Sequence, residues 1–114
     1  MTEKQNSLYP DDWKNSARRD WRRMSVLLHD GDSEGTAFFL QQSLEKYLKA
    51  FLIGHGWKLR KLHNLDTLLD HAIGHDAALE TFMNLCERVS GHYFAERYPM
   101  LLPSDLSSAI LKKI

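Results

Sequence analysis

Phe39-Leu40-Gln41-Gln42-Ser43-Leu44-Glu45-Lys46-Tyr47-Leu48-Lys49-Ala50 decides how this chain reads. At about 100° per residue, Gln41, Glu45, Lys49, Gln42 and Lys46 fall within an arc of about 140°. Ala37, Leu40, Leu44, Tyr47, Leu48 and Phe51 occupy the opposite arc, so the stretch is an amphipathic helix with a dense polar face. That face carries two amides, one carboxylate and two amines. In the simplest reading it is a solvated flank, where Glu45 and Lys49 form an i,i+4 pair worth a few tenths of a kcal/mol.

Working outward, apolar residues recur at three and four rather than at two, which predicts helices and no strands. The first helix runs from about Asp12 to His29, after Pro10 and a capping Asp11, and stops at Gly31. Trp13, Ala17, Trp21, Met24, Leu27 and Leu28 form its core stripe. The second starts near Ser33 and ends at Ile53, before Gly54 and Gly56; a loop with Lys58, Arg60 and Lys61 follows. The third, capped by Asn64, covers Leu65 to Ile73 and buries Leu65, Leu68, Leu69 and Ala72. The fourth begins near Asp76 and extends towards Arg97, facing Leu79, Phe82, Met83, Leu85, Cys86 and Val89 inward, with Gly91 as a kink point and Pro99 past its end. A short last helix spans Ser104 to Lys113. Long helices with short connections imply an all-α, up-and-down antiparallel four-helix bundle with an additional short C-terminal helix, in one domain over residues 1–114.

With 114 residues and 43% hydrophobic content, the chain can build a core without metals or disulfides. The lone Cys86 cannot pair within the chain, reads as a small buried apolar residue, and suits a reducing cytoplasm. No apolar run approaches the roughly 20 residues of a membrane span, and the N-terminus lacks a signal-peptide core, so a soluble cytoplasmic protein is expected. Formal net charge is zero, which argues against coating nucleic acid by bulk electrostatics. The charge is uneven nonetheless: residues 1–62 carry 11 Lys/Arg against 8 Asp/Glu, and residues 63–114 carry 4 against 7.

Four elements in order give the chain a family likeness. They are Ala17, Asp20 and Trp21; then Gln41, Gln42, Glu45, Lys46, Lys49 and Ala50; then His63, Asn64 and Leu65; then Arg97, Tyr98 and Pro99. Together they resemble the HEPN family of small helical domains over nearly the whole chain. The resemblance implies side-by-side homodimers, to which Tyr9, Tyr93 or Phe94 could contribute. It also implies a branch that binds nucleotides or pairs with a minimal nucleotidyltransferase protein in a toxin–antitoxin or stress-related module. No cofactor is implied.

Asp20 lies within the apolar arc of the first helix, and a carboxylate there needs a cation, from Lys46, Lys49 or Arg97. One reading makes this an interhelix ion pair. The other makes Asp20, Gln42, Glu45, Lys46, Lys49, His63, Arg97 and Tyr98 the lining of a groove for a nucleotide or another phosphate-bearing ligand. Arg18, Arg19, Arg22 and Arg23 cover the outer face of the first helix, either as a solvated strip or as a phosphate contact for RNA. His71 and His75 have i,i+4 spacing but Gly74 between them and no third ligand, so no metal site is expected.

Ribonucleases of the HEPN family resemble one another in an Arg followed by a His after four to six residues. Here Arg88 and His92 have three residues between them, one too few. Arg23 and His29 have the spacing but lie in the first helix, outside the motif's place. A metal-independent ribonuclease using His92 with Arg88 or Arg97 is the alternative function, since such cleavage needs a base at the 2′-hydroxyl and a cation at the phosphate. A non-catalytic interaction module is the second alternative.

Overall fold

A computed structural model describes residues 7–83, the side chain of Phe82 excepted. Among these residues the fold is all-helical: α1 is Pro10–Asp30, α2 is Ser33–Gly54, α3 is Leu65–Ile73, and a 3-10 turn covers Ala77–Phe82. The fourth helix beyond Met83 and the C-terminal helix lie outside the described residues.

Pro10 opens α1 rather than preceding it. A proline fits the first helical position because the amide hydrogen it lacks would have had no partner there. Tyr9 is the flanking residue and supplies no side-chain cap, so the expected capping role of Asp11 is not met; Asp11 and Asp12 instead place charge in the first turn, at the positive end of the helix dipole. Gly31 ends α1 at φ 81°, a left-handed conformation that a side chain would strain, and its N–H closes onto Leu27 and Leu28 carbonyls. Asp32 then caps α2 by accepting from the Gly35 N–H at 2.9 Å. Gly35 has to be small here, since a Cβ would stand 2.6 Å from the Asp32 carboxylate and 2.8 Å from Leu27. Two residues therefore reverse the chain and start the next helix.

The resulting hairpin packs α1 along α2 through Ala17, Met24, Leu40, Leu44, Tyr47, Leu48 and Phe51. α3 lies on α2, burying Leu65, Leu68, Leu69 and Ala72 as expected, each leucine worth roughly 1.5–3 kcal/mol. Trp21, Leu27 and Leu28 are less buried than the core stripe of α1 required. Asn64 caps α3 through the Thr67 N–H. Asp76 caps the next segment, but the Leu79 N–H returns to the Asp76 carbonyl three residues back, so the chain starts there as a 3-10 turn instead of an α-helix. Leu79 still reaches the core.

Candidate functional site

The polar face of α2 is not solvated. Glu45, Lys46 and Lys49 are buried, and so is Asp20 on α1, at 2% exposure. Lys46 Nζ donates to Asp20 Oδ2 at 2.6 Å across the helix pair, and Arg23 donates to Asp20 Oδ1 at 2.6 Å from one turn further along α1. Both oxygens of the buried carboxylate thus face a cation. Of the partners expected for Asp20, Lys46 is correct, Lys49 is engaged elsewhere, and Arg97 lies outside the described residues. Ser43 adds a second crossing, donating to the Ala17 carbonyl at 2.8 Å.

Glu45 is the second centre. Its Oε2 accepts from Lys49 Nζ at 3.1 Å and from His63 Nδ1 at 3.0 Å. A carboxylate can only accept, so the shared proton sits on Nδ1 and Nε2 is turned away from Glu45. Glu45 thereby ties the residue just before α3 to the middle of α2. Lys49 also lies 5.3 Å from the ring centre of Trp13, where the π face of α1 stabilises its charge.

Above these pairs lies a cleft of about 480 Å³ lined by Trp13, Gln41, Gln42, Glu45, Lys46, Lys49, Leu59, Arg60, Lys61 and His63. Its floor is α2 and one wall is the loop between α2 and α3. That wall is anchored: Trp57 packs on the core, Arg60 lies 5.7 Å over its ring, and His63 is fixed to Glu45. Four ammonium or guanidinium groups and one carboxylate line the cleft, with Arg60 and Lys61 the exposed ones, so its field favours an anion. Its amides, on Gln41 and Gln42, both donate and accept.

Gln42, Glu45, Lys46, Lys49 and His63 converge as the sequence suggested, while Asp20 supports from below. Arg60 and Lys61 are the residues that sequence reading missed. They were visible only as loop cations, and no helical periodicity reports where a loop folds back. Among the described residues neither has a carboxylate partner. Arg88, His92, Arg97 and Tyr98 lie outside the described residues.

The arginines of α1 separate. Arg18 donates to Asn15 at 3.1 Å and also bonds the phenol of Tyr47. Burial raises that phenol above its ordinary value of 10.0, and the charge and hydrogen bond of Arg18 partly offset the rise. Arg19, Arg22 and Arg23 border a different groove, on the α1 face beside Phe39. Among the described residues no group of three metal-ligating side chains forms. Nor is any described helix long and apolar enough to cross a membrane.

The family model for the HEPN domain matches this sequence over residues 10–111, a span that contains the helical frame and the Gln-Gln-x-x-Glu-Lys cluster. The chain belongs to the HEPN family. No curated protein and no solved structure matches it. In this HEPN chain Gln42, Lys46, Lys49 and His63, polar residues that helped carry the resemblance, meet around Asp20 and Glu45.

Proposed function

We propose that this HEPN domain binds a nucleotide or a similar phosphate-bearing ligand in the cleft beside α2, and that it works as a homodimer with a minimal nucleotidyltransferase partner in a toxin–antitoxin or stress-related module. The observation that supports the binding reading is the division of labour among its cations. Lys46 and Lys49 already neutralise Asp20 and Glu45, whereas Arg60 and Lys61 stand at the rim and, among the described residues, meet no carboxylate. Phosphate oxygens would meet Arg60 and Lys61 first, with Gln41 and Gln42 left to read a base or sugar edge. Partner and oligomer come from the family likeness alone.

Titration calorimetry with ATP, and with a short RNA, at low and physiological salt tests this reading. Saturable ATP binding is expected, and Arg60→Ala with Lys61→Ala should weaken it roughly tenfold or more while leaving the unfolding midpoint unchanged. Wild-type silence with both ligands, or undiminished affinity in the double variant, would overturn the assignment.

The full pairing of Asp20, Glu45, Lys46 and Lys49 favours one second reading, an interaction module whose polar cluster sets helix packing. It predicts that the cleft binds no phosphate compound, so the same titration decides between the two.

A further inference from the structure

On the other side of α1 lies a groove of about 520 Å³ bordered by Arg19, Arg22, Arg23, Val26, Leu27 and Phe39. Its floor is apolar and its edge cationic; none of the six residues is acidic. Val26 is 64% exposed, and Phe38, whose ring meets Phe39 edge to face at 5.1 Å, is 50% exposed. Arg23 is held in place twice, by the Asp20 carboxylate at 2.6 Å and over the Phe39 ring at 5.7 Å. A guanidinium fixed before binding loses little freedom when it meets an anion. Exposed aromatic side chains beside arginine are a composition enriched in protein–protein interfaces.

We infer that this groove is a docking site for an acidic peptide segment of a partner protein, one that inserts a bulky apolar side chain between Val26 and Phe39 and sets its carboxylates against Arg19 and Arg22. Charge complementarity selects this occupant, since three guanidiniums surround an apolar floor. A nucleic acid fits less well: Arg23 already covers a face of Phe39 on which a base would stack, and the floor offers little polar surface to read. The stretch of a second copy with Asp66, Asp70, Asp76 and Glu80 would offer the groove no such segment, since Leu65, Leu68, Leu69 and Leu79 are spent on its own core.

The test is fluorescence anisotropy on the purified full chain with a labelled decapeptide of Asp and Glu carrying two Leu and one Phe. The same peptide with Lys for its acids and a decauridylate serve as competing probes, all at about 0.15 M salt. Saturable binding of the acidic peptide is expected, weakened roughly tenfold or more by Arg22→Glu and by Val26→Asp, with Arg18→Glu, outside the groove, close to wild type. No binding of the acidic peptide, or equal binding by Arg22→Glu, overturns the inference. Preference for decauridylate would make the groove a phosphate-binding face instead. A fall of more than about 10 °C in the melting midpoint of Val26→Asp would show that the chain's own packing covers the groove, and that too overturns it.

Discussion

The cleft beside α2 and the groove beside Phe39 are both ringed by cations, yet they are built in opposite ways. In the cleft, carboxylates lie beneath the lysines, so most of the positive charge is spent on holding helices together. In the groove, hydrocarbon lies beneath the arginines, and most of their charge faces outward. What a cation does here depends less on its own position than on what sits under it. Asp20 belongs to both places, since one oxygen receives Lys46 from the cleft side and the other receives Arg23 from the groove side.

Asp20 is therefore where the comparison breaks most readily. Asp20→Ala removes the buried carboxylate that Lys46 and Arg23 share, and should cost about 3–5 kcal/mol in urea unfolding. The double change Asp20→Leu with Lys46→Met replaces the pair by hydrocarbon and should recover most of that loss. If the double variant is as unstable as the single one, pairing is not what the carboxylate provides.

A smaller effect sharpens the account of the cleft wall. Asn64→Ala removes the cap of α3 and should cost about 1 kcal/mol, read from the same unfolding curve. Because His63 remains on Glu45, ATP affinity should change little; a loss as large as that of the rim variants would mean that the cap, not the Glu45 contact, positions the loop.

The smallest effect separates Arg18 from its neighbours. The folded chain holds the Tyr47 proton more tightly than the unfolded chain, so this contribution to stability is complete below about pH 10 and is lost as pH rises beyond it. Tyr47→Phe should flatten that decline above about pH 10, measured by urea midpoint, and an unaltered slope would assign it to other groups.

Much of this was legible in the residues because helices are local. Asn64 announces the start of α3 and Gly31 the end of α1, each through chemistry confined to one turn. A carboxylate within an apolar arc announced that Asp20 needed a cation, though Arg23 was hidden among four arginines assigned to the outer face. Tertiary placement was not legible. Nothing in Trp57-Lys58-Leu59-Arg60-Lys61 says that this loop folds over Gln41 and Gln42, since its position rests on a tryptophan finding the core and a histidine finding a carboxylate 18 residues earlier. Nor could the sequence distinguish an α-helical from a 3-10 start after Asp76, where one hydrogen bond decides.

The crossing of Lys46 to Asp20 also fixes register. Two smooth apolar stripes can slide past each other by a helical turn, about 5.4 Å, and still bury similar area. Here such a slip would pull a 2.6 Å contact apart and take a buried ammonium from its carboxylate across the helix pair, while detaching Ser43 from the Ala17 carbonyl. The alternative alignment is thereby penalised far more than the native one is rewarded. An expensive buried ion pair is then useful as a vernier: it sets which residues of α1 and α2 stand opposite each other, and so where every side chain of both clefts can be.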